Sequence, residues 1–314
     1  MRSRLICRFH VASLVGSPSS SVHAFLGGSH SAYYDYFSGI DIGGKMYNMI
    51  RLIVSDLDGT LLEHDKTIRD MNRAALLDAE EHGCEICLAS GRAFPEIKRV
   101  MDDLGRTYHA ISQNGSFVHT KAGQLLKSSR FEPDVARKIF QFVSEYSFPC
   151  YVFCESEIYT PLKTELYSQY EWRIFAACIQ SSTILQDIGE SIWPSRFALY
   201  GDLTELKSMR LKLQERFRGQ LNAELSDSDC LDLMPPGVSK GDGLRILMNH
   251  FGYRPEEVVC IGDNYNDLSM FSRTPHSFAV SHSPPDVRGR VSHVVDSVHE
   301  CIRWARELEC ASSH

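Results

Sequence analysis

Arg51-Leu-Ile-Val-Ser-Asp-Leu-Asp-Gly-Thr-Leu-Leu62 is an apolar run that stops on two carboxylates one residue apart. Leu52 to Val54 predict a buried strand with Asp56 and Asp58 at its carboxyl end, and Gly59 permits a turn that a Cβ would resist. Like charges this close repel and a divalent cation offsets the repulsion, so the stretch reads as a metal site. A carboxylate on a rigid strand end is also a competent nucleophile toward phosphorus, which gives Asp56 the role of forming an aspartyl phosphate that water later releases. Asp58 would protonate the leaving alcohol and then deprotonate the attacking water, with its main-chain carbonyl facing the metal. Taken alone, the same stretch also suits an Asp-Gly turn beside a solvated acid.

Downstream, a helix capped by Thr67 is expected, with Ile68, Met71, Ala75, Leu76 and Ala79 on one face and an end at Gly83. Cys84 to Ala89 then reads as a second buried strand. Strand, helix and strand of these lengths imply a parallel pair, hence a doubly wound α/β sheet. The second strand ends in Ser90-Gly91-Arg92, before an amphipathic helix that carries Phe94, Ile97, Met101 and Leu104. Ser90 suits an N-cap there, and its hydroxyl with the free main-chain N–H groups around Gly91 equally suits an anion. His109-Ala-Ile-Ser-Gln-Asn-Gly115 predicts a third strand closing on an Asn-Gly turn.

From Glu132 the character changes. Val135, Ile139, Phe142, Val143 and Tyr146 form a helical face, and strands are expected at Cys150–Cys154 and Ile158–Thr160. A helical stretch near Leu162–Ala177 follows, then a strand at Arg196–Tyr200 and a helix that buries Leu206, Met209, Leu213 and Phe217. Strands at Leu221–Leu225 and Cys230–Met234 complete a segment large enough for a domain of its own. It shows no Gly-rich phosphate loop and no repeated carboxylate spacing, so it reads as an inserted lid without chemistry. The expected division is therefore 49–131 for the first part of a core, 132–235 for an α/β cap and 236–314 for the second part of the core.

After the hinge Pro235-Pro236-Gly237, Val238-Ser-Lys-Gly-Asp-Gly-Leu244 opens a helix whose buried side is expected to carry Leu244, Leu247, Met248 and Phe251. Lys240 in its first turn opposes the helix dipole at a cost of roughly 0.3–1 kcal/mol. A solvated lysine would bear that cost, whereas a bound phosphate or a neighbouring aspartate would reverse it. Val258 to Ile261 predicts a further buried strand ending in Gly262-Asp-Asn-Tyr-Asn-Asp267. Asp263 suits a turn and Asp267 a helix cap, yet all of these acids sit at carboxyl ends of predicted strands, where open α/β sheets bind ligands. A hard, oxygen-seeking ion such as Mg²⁺ accounts for them together. Short edge strands at Ser277–Val280 and His293–Val295 and a closing helix from Val298 to Leu308 finish the core.

In order, these segments resemble motifs I to IV of the haloacid dehalogenase (HAD) superfamily: Asp56-Leu-Asp-Gly-Thr60, Ser90, Lys240 and Gly262-Asp-Asn-Tyr-Asn-Asp267. The Asn114-Gly115 turn and the position of the insert are similar to Cof-type members with a type IIB cap. The resemblance implies a Mg²⁺-dependent phosphatase acting on small phosphorylated metabolites, such as sugar phosphates or flavin-pathway phosphate esters. It makes Asp56 and Asp58 catalytic, assigns phosphate contacts to Ser90, Gly91, Lys240 and Asn266, and adds Asp263 to Asp56 and Asp58 around the metal. Asp267 would support Lys240 or metal-bound water from behind. A phosphomutase would share this core and cap, and a phospho-aspartate signalling domain shares the aspartate and lysine but not the insert.

Composition narrows the partners. The net charge of the 314-residue chain is −7 with the acids dispersed, leaving no basic stripe for nucleic acid or an anionic membrane. No run of about twenty apolar residues offers a membrane span. The ten cysteines lie mostly in apolar runs, so reduced core thiols in a cytoplasmic protein are expected, and Cys84 and Cys87 should face opposite sides of a strand. Thirteen histidines show no metal-binding spacing. A monomer or homodimer is expected. Residues 1–48, with Arg2, Arg4, Arg8, many serines and no acid before Asp35, suit a transit peptide or an upstream extension that does not fold. The extension is expected, with Met46 or Met49 beginning the folded part, because the first core strand follows at once.

Overall fold

The computed structural model describes residues 49–171, 174 and 177–311, all within the unit Met46–His314. The expectations for residues 1–48 lie outside these. Strands β1 (Leu52–Ser55), β2 (Glu85–Ala89), β3 (His109–Ser112), β4 (Phe117–His119) and β5 (Leu125–Ser128) come first, with α1 (Asp70–Glu81) and α2 (Phe94–Leu104) between them. The next segment holds α3 (Pro133–Val143), β6 (Cys150–Phe153), β7 (Ile158–Thr160), α4 (Glu165–Glu171), β8 (Cys178–Gln180) and α5 (Ile184–Asp187). It continues through β9 (Arg196–Tyr200), α6 (Leu203–Arg216), β10 (Asn222–Asp227) and β11 (Cys230–Met234). The chain then gives α7 (Lys240–Phe251), β12 (Val258–Gly262), α8 (Leu268–Phe271), β13 (His276–Val280), α9 (Pro285–Arg288), β14 (His293–Val295) and α10 (Val298–Ala311).

Two sheets result. The first runs β14-β13-β12-β1-β2-β3-β4-β5, parallel from β14 to β3 and antiparallel at β4 and β5. Alternation along β1 sends Ile53 into a core shared with α1, α2 and α10, and Leu52 and Val54 into one shared with α7 and α8. The sheet is therefore doubly wound. The chain leaves β1 toward β2 on one side and returns at β12 on the other, so the carboxyl ends of β1 and β12 meet at the topological switch point. Cys84 and Cys87 fall in these opposite cores as free thiols.

The second sheet, β10-β11-β9-β6-β7-β8, is antiparallel except for β7 with β8. One face, with Val152, Phe197, Leu199, Leu231 and Leu233, packs on α3, α5 and α6. The other carries Phe153, Arg196, Tyr200, Cys230 and Asp232 by the same alternation. We propose the cap boundaries on this sheet membership. Phe131 already packs in the second core, so the crossing lies at Ser129–Arg130, slightly before the expected residue 132.

Several local expectations are corrected. Thr67 does not cap α1: its Oγ1 donates to Asp65 Oδ1 at 2.6 Å in a preceding turn, and the helix starts at Asp70 with Met71 exposed. Ser90 does not cap α2, which begins after Ala93, where the Ala93 N–H donates to Glu96 Oε2 at 2.8 Å. β3 stops at Ser112 because Gln113 and Asn114 turn to positive φ. Phe251 ends α7 at 38% exposure beside the left-handed Gly252 instead of entering the core. In the cap, the helix expected near Leu162–Ala177 is described over Glu165–Glu171, with Trp172, Arg173, Phe175 and Ala176 outside the described residues; β8 and α5 follow unexpectedly. β13 is flanked on both sides and is not an edge.

Candidate active site

Asp56 lies just beyond β1, its main-chain N–H donating to Ile261 O of β12 at 2.9 Å, and its side chain is buried. Lys240 Nζ donates to Asp56 Oδ1 and to Asp267 Oδ1, both at 2.6 Å. This resolves the misplaced lysine at the start of α7: it is fully buried between two carboxylates, and their charge raises its pKa despite the burial that would lower it. Asp267 is used up by neighbours, since its Oδ2 accepts from the main-chain N–H groups of Asp263 at 2.9 Å and Asn264 at 3.0 Å. Two glycines make the approach feasible. A Cβ on Gly241 would lie 1.9 Å from Ser269 O, and Gly59 has φ +80° with a Cβ position 2.6 Å from Asp263 Oδ2.

Oxygens of Asp56, Asp263 and Asp267 all lie within 4.8 Å of one another, and Asp56 Oδ2 is buried with no protein partner. Burial pushes the Asp56 and Asp263 carboxyls well above the ordinary carboxylate range, and their mutual repulsion adds to it. An all-oxygen donor set with an orphaned carboxylate oxygen and too little neutralising charge fits a hard divalent cation.

The carboxylate of Asp58 stands apart from this cluster, contrary to a simple three-aspartate metal set, and it could join only through the expected main-chain carbonyl. Arg92 grips it with Nε to Oδ2 at 2.7 Å and Nη2 to Oδ1 at 2.6 Å, and Lys66 Nζ adds 2.8 Å to Oδ1. Burial would raise the Asp58 pKa, but these two cations hold it at about 2. Asp58 in this arrangement is thus a base without a proton. Sequence reasoning quoted Arg92 without giving it a role; its position two residues after Ser90 was the available signal.

Ser90 is buried and its Oγ accepts from Arg92 N–H at 3.1 Å. Asn266 Nδ2 donates to Asn114 Oδ1 at 3.0 Å. Asp56, Asp58, Ser90, Gly91, Asp263 and Asn266 line one cavity of about 420 Å³, with Lys240 and Asp267 buried behind Asp56. All the predicted site residues are therefore gathered at the switch point. The cavity also reaches the cap, where Arg196 and Asp232 line it, residues that gave no signal in the sequence.

The fold and site define the class of molecule: a doubly wound α/β enzyme with a carboxylate cluster at a strand end. The family model of haloacid dehalogenase-like hydrolases matches residues 53–301. The chain belongs to that family, and it is an enzyme, a phosphatase of the haloacid dehalogenase type. Its relatives include the HMP-PP phosphatase of Enterobacter sp., 25% identical over 253 residues that cover 78% of this chain and 89% of that protein. The HMP-PP phosphatase of Cronobacter sakazakii is 26% identical over 258 residues, covering 82% and 93%. A haloacid dehalogenase-like hydrolase from Bacteroides thetaiotaomicron superposes with a TM-score of 0.73 at 26% identity, covering 81% of this chain and 99% of that one. Among the described residues no helix is long and apolar enough to cross a membrane.

Proposed function

We propose that this phosphatase hydrolyses small phosphate esters through a phosphorylated Asp56, with Mg²⁺ as its metal. The observation that carries the reading is Asp56 itself: one oxygen pinned by Lys240 at 2.6 Å, the other without a protein partner, in the wall of a cavity shared with Asp263. The HMP-PP phosphatases show that relatives act on a phosphorylated compound, which supports the substrate class.

Asp56 and Asp263, with the Asp58 main-chain carbonyl, would hold the cation, which when bound neutralises charge on the phosphoryl oxygens. The Asp56 carboxylate attacks phosphorus as the ester P–O bond breaks, and the leaving oxygen takes a proton from Asp58. A water then attacks the phosphoryl group, gives its proton to Asp58, and the P–O bond to Asp56 breaks to release inorganic phosphate. Ser90 Oγ–H, the Gly91 N–H and Asn266 would orient the phosphoryl oxygens, and Lys240 keeps the nucleophile from rotating. For Asp58 to donate first, it must acquire a proton. The incoming phosphoryl group competes for Arg92 and Lys66 and so releases the pair that holds the Asp58 pKa down.

Turnover of a panel of phosphomonoesters is expected with Mg²⁺ and not with excess chelator; hydrolysis that survives the chelator would overturn metal dependence. A second expectation concerns proton inventory. Arg92→Gln removes the main restraint on Asp58, so its pKa rises from about 2 toward the ordinary carboxylate value. Because Asp58 must carry a proton in the step that kcat/KM reports, the limb on which kcat/KM falls with rising pH should then move up by about one pH unit relative to native enzyme with the same substrate. An unmoved limb would show that Arg92 does not govern the proton on Asp58.

A further inference from the structure

Beyond the phosphoryl end, the cavity is walled by the cap, and one feature there is chemically unusual. Arg196 and Asp232 are both buried and pair face to face, Arg196 Nη1 donating to Asp232 Oδ1 at 3.2 Å and Oδ2 at 3.1 Å. The guanidinium carbon sits 3.7 Å from the centroid of the Phe153 ring, which covers one face of the group. Its Nε–H is buried with no partner. That nitrogen is closed to the cavity, so Arg196 can meet a ligand there only with the rest of its guanidinium.

The pair is also tied to the phosphoryl end. Asn114 Nδ2 donates to Asp232 Oδ2 at 3.0 Å, while Asn114 Oδ1 accepts from Asn266, so a continuous hydrogen-bonded chain runs from the cap to the residue expected to contact phosphate. Asn114 holds this position with φ of 54° and is itself buried, which fixes the distance between the two ends.

Resting on the phosphatase reading above, we infer that Arg196 and Asp232 form the leaving-group subsite, and that it takes an uncharged polar group presenting an acceptor to the Arg196 guanidinium. A second anion on the substrate is disfavoured. Each lysine and arginine in the cavity wall already faces a carboxylate, Lys66 and Arg92 on Asp58 and Arg196 on Asp232. Asp227 adds further negative charge to the same wall. Phe153, Ile174 and Tyr200 supply apolar surface beside the pair, and about 420 Å³ accommodates a phosphoryl group with a single ring. Asp232 thereby acts against competitors: it cancels the charge that would otherwise draw a second phosphate or a carboxylate.

The test uses matched substrates: fructose 6-phosphate against fructose 1,6-bisphosphate, and glycerol 3-phosphate against 3-phosphoglycerate, with p-nitrophenyl phosphate as a general gauge of turnover. Native enzyme is expected to favour the singly phosphorylated, carboxylate-free member of each pair by about tenfold or more in kcat/KM. Asp232→Asn keeps the shape and an acceptor for Asn114 but uncovers the Arg196 charge, so the ratio should shift toward the more anionic member by about tenfold, mainly through KM. Arg196→Gln should raise KM for the uncharged members about tenfold without that shift. A native preference for the more anionic members, or an Asp232→Asn ratio within about twofold of native, would overturn the inference. Should Asp232→Asn lack a cooperative melt, the native ranking decides alone. If native enzyme hydrolysed none of these esters, p-nitrophenyl phosphate included, the phosphatase reading would fall instead.

Discussion

Asp56→Asn is expected to abolish turnover, by on the order of 10⁴-fold or more in kcat, while leaving the protein folded. An amide cannot form the acyl phosphate, and no other described side chain offers an unpartnered buried carboxylate oxygen in that wall. The substitution should not weaken the fold. Asp56 and Asp263 are both held above the ordinary carboxylate range, which means that their charged forms are less favourable in the folded chain than in the unfolded one. Their burden on stability is absent at low pH and grows as pH rises past the ordinary carboxylate value. Near neutral pH the neutral amide relieves that repulsion, and Lys240 retains Asp267. The melting temperature is therefore expected to stay within about 5 °C of native or to rise. Steady-state assays with a calorimetric melt check both halves; native turnover in the variant would remove Asp56 from the chemistry.

Lys240→Met is expected to damage stability and activity together. Among the described residues its ammonium is the one cation that meets both Asp56 and Asp267, each at 2.6 Å, and all three groups are buried. Met matches the length and supplies no charge, so two carboxylates lose their shared partner inside the core. Removing one member of a buried ion pair typically costs about 3–5 kcal/mol, which for a domain of this size corresponds to a fall of roughly 10 °C in melting temperature. Divalent metal should recover part of the stability, because a cation near Asp56 and Asp263 replaces some of the missing positive charge. It should not recover turnover, since the nucleophile is no longer pinned. A variant that melts like native would show that the ion triad contributes nothing net to the fold.

The contrast between these two substitutions reflects what could be read from the chain. Asp56, Asp58 and Asp263 were legible because each follows a short apolar run, and a parallel sheet buried on both faces leaves strand ends as the natural place for charge. Lys240 was legible as an anomaly, a cation at the wrong end of a helix, and its partners explain it. Thr67 and Ser90 misled for one reason: both are good caps in isolation, but a turn at Asp65 claims Thr67 and the Ala93–Glu96 box starts α2 later. In the cap, β8 and α5 are only a few residues long, and segments that short carry too little periodicity to be separated from loop.

The sequence by itself determined the doubly wound core and the order of its motifs, because local apolar patterning fixes strands, helices and the residues at their ends. Only tertiary structure decided that Arg92 and Lys66 keep Asp58 ionised, that Asn114 joins Asn266 to the cap, and that Arg196 and Asp232 meet in the cavity. All but the Lys66 contact join residues far apart in the chain, Asn114 and Asn266 by 152 positions. Their energy depends on distance and burial, quantities that arise only after the sheets have formed and the chain has folded back on itself.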